Sequence, residues 1–245
     1  MFKSIIGAAA IVCLAGAVNA ATVTVDAQTN IFLAGDTSQG PGTGTGLGIA
    51  PTVENGAIFS FAAGNNLVLR MDSVTGQTTT STTSGFFGAD GNGGAINITS
   101  SGGIAGMRNF RRGFLAGVFL SSATPPVDGA QPPRANYTTG VITNQDLSFA
   151  PLLNQTFFIG DGINNDGAIQ DFFVPTGADT LVFGFLDGAN FVGQPQNYFD
   201  NEGSLTASFT IASNSQPAVV PLPASLPLLL AGGLGLFALR RARRT

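Results

Sequence analysis

The chain has 245 residues and a formal net charge of −4, with 34 Gly and 20 Phe but no Trp and no His. Its single cysteine, Cys13, sits close to the start. The rest of the chain therefore holds no disulfide framework, no Cys- or His-ligated zinc, no Ser-His-Asp or Cys-His nucleophile pair and no imidazole proton shuttle, which leaves hard oxygen ligands and carboxylate chemistry.

Met1-Phe2-Lys3 reads as a short positive segment, Ile5 to Ala17 as an apolar one, and Val18-Asn19-Ala20 supplies the small residues of a signal-peptidase site. Residues 1–20 are expected to be a signal peptide removed by signal peptidase, with the mature chain starting at Ala21. A lipoprotein signal at Cys13 is the competing reading, but Ala10-Ile11-Val12 before it lacks the usual Leu and small-residue pattern.

Residues 21–219 hold all 14 acidic side chains against Arg70, Arg108, Arg111, Arg112 and Arg134, a net charge of −9 with no lysine. Such a surface repels nucleic acid, whose binding depends on cations that neutralise phosphates, and draws divalent cations instead. A nucleic-acid partner is excluded on this ground.

In chain order, strands are expected near Thr22–Val25, Ala57–Phe61, Leu67–Met71, Ile96–Thr99, Phe114–Leu120, Gln155–Ile159, Gln170–Val174, Thr180–Leu186 and Ser204–Ala212. Leu205, Ala207, Phe209 and Ile211 alternate with Thr206, Ser208 and Thr210, the pattern of a half-buried antiparallel strand. The fold class expected for residues 21–217 is one all-β domain, a jelly-roll β-sandwich. Gly40 to Gly48 and the proline-rich Ser121 to Pro133 are connections within it. The Gly alternation is no dinucleotide fingerprint, and Lys3, the sole lysine, cannot serve a phosphate loop. With no Trp and only Tyr137 and Tyr198, the core must be built from Phe, Leu, Ile and Val.

The tail, residues 218–245, has three parts in order. Val220-Pro221-Leu222-Pro223-Ala224 comes first, then an apolar run from Leu226 to Leu239, then Arg240, Arg241, Arg243 and Arg244. The 18 residues from Leu222 to Leu239 are just long enough to cross a bilayer as a helix, and Pro223 and Pro227 confine the good helix to the later part. The terminal arginines are expected to stay cytoplasmic, placing the β domain on the outer side of the inner membrane. An ordinary single-span anchor would read the same way.

This order of motif, helix and Arg cluster resembles the VPLPA variant of the PEP-CTERM sorting signals of Gram-negative bacteria. The resemblance implies recognition by an exosortase and an inner-membrane-anchored precursor facing the periplasm. It further implies later delivery to the cell surface or outside the cell, in association with exopolysaccharide or biofilm.

A second resemblance covers the end of the β domain. Val174-Pro175-Thr176-Gly177-Ala178-Asp179-Thr180-Leu181-Val182-Phe183-Gly184-Phe185 leads to Asp187, and a loop leads to Tyr198-Phe199-Asp200-Asn201-Glu202-Gly203-Ser204-Leu205. This is similar to the end of the small bacterial galactose-binding calcium lectins, which are jelly-roll β-sandwiches. The resemblance implies calcium as cofactor, held by Asp187 at a strand end and by Asp200 and Asn201 before the last strand, with a glycan hydroxyl completing the shell. The loop from Gly188 to Asn197 is longer than in the lectins, and their early tyrosine carbonyl ligand has no match here.

Other readings of the same residues stand beside this one. Asp and Asn before Gly commonly form a hairpin turn, which Asp200-Asn201-Glu202-Gly203 would satisfy. Asp90-Gly91-Asn92-Gly93 and Asp161 to Gly167 are acidic turns that miss the EF-hand spacing. Arg108, Arg111 and Arg112 form the domain's basic cluster, read either as exposed strand-edge charges or as a grip for an anionic polysaccharide.

The expectation for function is an exported, non-catalytic surface or matrix protein, processed by an exosortase and binding glycan through calcium. A purely structural surface protein is the alternative. A carboxylate-pair glycosidase ranks third, because there is no Trp platform and Glu54 and Glu202 are the only glutamates.

Overall fold

The computed structural model describes residues 19–34 and 58–214. The sorting motif Val220–Ala224, the apolar run, Arg240, Arg241, Arg243 and Arg244, the start of the signal segment, the Gly40–Gly48 loop and Glu54 lie outside the described residues. Among the described residues, no helix is long and apolar enough to cross a membrane.

The described chain is all-β. Its strands are β1 (Asn19–Asp26), β2 (Ile58–Ser60), β3 (Leu67–Thr79), β4 (Asn92–Ile98), β5 (Met107–Arg112), β6 (Ala116–Leu120) and β7 (Ala135–Asn136). After these come β8 (Ser148–Phe149), β9 (Thr156–Phe158), β10 (Asp171–Phe173), β11 (Thr180–Gly184), β12 (Val192–Gly193) and β13 (Glu202–Ser213). Helical structure among them is limited to single 3-10 turns such as Ile31–Leu33, Ala189–Phe191 and Tyr198–Asp200.

The strands form three sheets, in the orders β1-β13-β3-β10-β8, β2-β11-β6-β9 and β12-β4-β5-β7. The first two pack face to face as a sandwich, with aromatic rings across the gap. Phe209 of β13 meets Phe59 of β2 edge-on at 5.1 Å and Phe183 of β11 at 5.0 Å, while Phe172 of β10 meets Phe157 of β9 at 5.6 Å. Offset and edge-on contacts of this kind stabilise a core beyond the area they bury. The phenylalanine-rich composition is thus mostly core, as expected.

Strand β13 carries the expected alternation: Leu205, Ala207, Phe209 and Ile211 are fully buried, while the intervening residues reach the outer face. There Thr22 and Ser208 share a 2.8 Å hydrogen bond, and Thr210 donates to Asp72 at 2.9 Å. Cross-strand hydroxyl pairs of this type add to sheet stability.

Three elements depart from the sequence expectation. Strand β3 runs on from Met71 to Thr79, because its polar second half pairs with Glu202–Ser208 of β13, and a partner strand supplies what hydrophobic alternation does not. Gly76 in that half has φ +103, where a Cβ would collide with the Ser204 carbonyl. Strand β5 pairs with β4 along its length but with β7 only at Met107 and Arg108, so Arg108 lies between two strands, while Arg111 and Arg112 have a strand partner on the β4 side alone. Its pattern is inverted, with Asn109 fully buried and Phe110 exposed, and this hid it from hydrophobic periodicity. Finally, β8, β12 and β7 each pair in parallel with their neighbours, which an all-antiparallel reading did not include.

The N-terminal strand spans the expected cleavage point. Asn19 and Ala20 pair with Ile211 and Thr210, and Ala21 pairs with Phe209, so the strand from Ala21 to Asp26 keeps its partners if the chain is cut there.

Candidate functional site

Asp187 follows β11, and the chain then makes an excursion before returning at Asp200 and Asn201. Gly188 begins the 3-10 turn Ala189–Phe191, β12 pairs with Asn97 and Ile98 of β4, and the second turn, Tyr198–Asp200, leads into β13. The lengthened loop is therefore a folded flap attached to the third sheet. Asp200 and Asn201 do not form a hairpin turn, because β13 pairs with β1 and β3 rather than with the strand before it.

Backbone bonds close this excursion on itself. The Gln196 N–H donates to the Asp187 carbonyl at 3.1 Å, and the Asp187 N–H donates to the Tyr198 hydroxyl at 3.0 Å. That hydroxyl donates in turn to the Phe185 carbonyl at 3.2 Å. From the other side, Gln28 uses its side-chain amide to donate to the carbonyls of Phe199 and Asn201, each at 3.2 Å. The two ends of the loop are thereby held against the end of β1.

Asp187 and Asn201 are each 3% exposed, and Asp200 is half-buried. One oxygen of each is buried without a hydrogen-bond donor: Oδ2 of Asp187, Oδ1 of Asp200 and Oδ1 of Asn201. The other atoms of Asp187 and Asn201 are occupied. Oδ1 of Asp187 accepts the Gly188 N–H at 2.7 Å, and Nδ2 of Asn201 donates to the Ala27 carbonyl at 3.1 Å. Because a carbonyl only accepts, that last bond fixes which end of the amide is nitrogen and leaves the oxygen free.

Buried acceptors without donors are costly, and in folded proteins most buried polar atoms have partners. Burial accordingly pushes the Asp187 carboxyl up to about 7. The Gly188 N–H, the Asn201 amide and the charge of Arg112 oppose the rise, and the charge of Asp200 adds to it. Two carboxylates and one amide, each with a bare oxygen, make a donor set suited to a hard cation. No group of three or more His, Cys, Asp or Glu that could hold a metal occurs among the described residues, so the amide is essential to this set.

The side chains of the other acidic turns find backbone donors. Asp161 Oδ1 accepts the Ile163 N–H, and Asn164 Oδ1 accepts from Asp166 and Ala168. Asp90 accepts the Asp161 N–H at 3.2 Å, and its carboxyl lies above the ordinary range through burial and the neighbouring Asp161 charge. Asp161 and Asn164 thus form Asx turns on their own backbone, whereas Asp90 is met by the backbone of the Asp161 turn.

Three residues near the cluster were not singled out as site residues from sequence. Phe199 is 62% exposed immediately before Asp200, and Phe86, 54% exposed, lies against Gly203, whose Cβ position is 3.2 Å from its ring. Phe191 carries Arg112 over its ring face at 4.5 Å. A separate cavity of about 410 Å³ is lined by Tyr137, Ile142, Phe149, Pro151, Phe157 and neighbouring residues, and by none of Asp187, Asp200 or Asn201. No protein-family model, curated protein or solved structure matches the chain.

Proposed function

We propose that the chain is an exported, non-catalytic surface or matrix protein of a Gram-negative bacterium whose Asp187–Asp200–Asn201 cluster holds calcium and, through it, a glycan. The observation that carries this reading is the set of three bare, buried oxygens on the residues that the lectin resemblance selects. Calcium would satisfy all three and offset the two carboxylate charges, leaving coordination positions for backbone carbonyls, water and sugar hydroxyls. The exposed rings of Phe199 and Phe86 beside the cluster offer apolar faces for a sugar ring. In the same reading the sandwich is a jelly roll of the galactose-binding kind.

The tail supports the export half of the proposal. Val220 to Ala224, the apolar run and the four terminal arginines stand in the order of an exosortase signal. Signal peptidase and exosortase are the processing partners, the inner membrane is a transient anchor, and exopolysaccharide is the partner outside.

Equilibrium dialysis of the purified chain against calcium tests the site. One ion per chain is expected, with loss of binding in the double variant Asp187→Ala, Asp200→Ala. No bound ion, or binding that the double variant retains, contradicts the proposal.

The structural-protein reading draws on one observation, the outer face of β1 and β13. Its hydroxyls pair with one another, as in Thr22 with Ser208, and such a face serves sheet stability without any ligand. Glycosidase chemistry finds less support, since Glu202 is exposed at the start of β13.

A further inference from the structure

The five arginines of the described residues are not equivalent. Arg70 forms a two-bond pair with Asp171, Arg108 donates to Asn97, Arg111 donates to the Asp90 carbonyl, and Arg134 donates to Asn97 and to the Ile98 carbonyl. Arg112 has no side-chain hydrogen bond among the described residues, and its Nε is buried without a partner. It forms no ion pair within 4.0 Å there either, since the Arg70–Asp171 pair is the one found.

Arg112 is nonetheless held in place. Its guanidinium lies 4.5 Å above the Phe191 ring, in the turn that directly follows Asp187 and Gly188. Gly94 of β4 also lies against the side chain, its Cβ position being 3.1 Å from Nε. An arginine stacked on an aromatic ring loses little mobility on binding and keeps its planar donor fork available. Its charge is also felt at Asp187, although no contact ion pair forms.

Charge arithmetic then separates two kinds of ligand. Asp187 and Asp200 supply two negative charges and calcium supplies two positive ones, so among these four groups the Arg112 charge is left unbalanced. A neutral sugar does not remove it. A sugar carboxylate can, because one oxygen can reach the cation while the group accepts the guanidinium fork.

We propose that Arg112, stacked on Phe191 beside the Asp187–Asp200–Asn201 cluster, is a specificity-determining residue that selects an acidic sugar of uronate type over its neutral counterpart. The inference rests on the calcium reading of that cluster. It assigns to the glycan a chemical class that the lectin resemblance does not supply.

The test is calorimetric titration of the full chain, first with calcium alone, then of the calcium-saturated chain with matched probes: galacturonate against galactose, and glucuronate against glucose. In at least one pair the uronate is expected to bind about tenfold or more tightly. Arg112→Gln should bring that pair near parity while calcium binding persists, and Arg112→Lys should restore part of the preference.

Absence of calcium binding in the unaltered chain overturns the calcium reading and this inference with it. Calcium binding with no uronate preference in either pair overturns this inference alone, as does a preference that Arg112→Gln leaves unchanged. If Arg112→Gln does not fold, Arg112→Lys decides in its place: a preference equal to that of the unaltered chain overturns the inference, and a reduced one supports it.

Discussion

The hydroxyl of Tyr198 accepts the Asp187 backbone N–H at 3.0 Å and donates to the Phe185 carbonyl at 3.2 Å, so one fully buried side chain ties the return of the loop to the end of β11. Tyr198→Phe keeps the ring and removes both bonds, leaving the buried Asp187 N–H unsatisfied, while the Phe185 carbonyl keeps the Ile31 N–H at 3.4 Å. A loss of about 1–3 kcal/mol is expected in denaturant unfolding. Weaker calcium binding should accompany it, because Asp187 loses its anchor. Unchanged stability would contradict the anchoring role.

Burial gives the metal-free protein a distinctive pH response. The Asp187 carboxyl is raised from the ordinary 3.8 to about 7, so the folded chain retains a proton over this range that the unfolded chain has lost. The stability linked to that proton is fully present below about pH 4 and declines as pH rises through about 7. In chelator, melting temperature should therefore fall across this interval, and Asp187→Asn should remove that part of the fall. Superimposable profiles for the two proteins would refute the assignment.

Tyr137 and Tyr198 are the only tyrosines, and the chain has no tryptophan to obscure them. Burial raises both hydroxyls well above the ordinary 10.0. Each contributes stability that is present below its unfolded value and lost as pH rises through the folded one. Phenolate absorbance at alkaline pH should consequently appear together with loss of β-sheet dichroism. Phenolate appearing in the intact fold would show that the tyrosines are accessible.

Phe209 sits where the two sheets meet, fully buried between Phe59 and Phe183. Phe209→Ala should cost about 3–5 kcal/mol by leaving a cavity between the sheets, and Phe209→Leu less than that. Denaturant midpoints of the two variants check the order.

Processing of the tail is expected to depend on its basic end. In cells that contain an exosortase, changing Arg240, Arg241, Arg243 and Arg244 to Ala should leave a precursor of higher mass on a gel. Normal maturation of that variant would remove the residue-level basis of the sorting proposal.

What the sequence made legible follows from where local pattern and tertiary packing agree. Strands β11 and β13 were readable because each buries one face or both against the other sheet, which writes itself into hydrophobic spacing. The second half of β3 was not, since its strand character comes from β13 far along the chain, and β5 was not, since it buries Asn109 and exposes Phe110. At the site, Asp187, Asp200 and Asn201 could be chosen by likeness to a motif. The roles of Gln28 and Tyr198 in holding them could not, because they depend on β1 and the loop meeting in space. Arg112 was visible only as one of three clustered arginines, and only the pairing of β4 with β5 and the stacking of Phe191 distinguish it.

The central claim is that the three bare oxygens form a calcium site. Thermal unfolding of the purified chain in calcium and in chelator tests it most directly, since a ligand at about a hundred times its dissociation constant stabilises the native state by about 2.7 kcal/mol. A higher melting temperature in calcium, lost in both Asp187→Asn and Asp200→Asn, is the predicted result. Equal melting temperatures at saturating calcium, or a rise that both substitutions preserve, would contradict it.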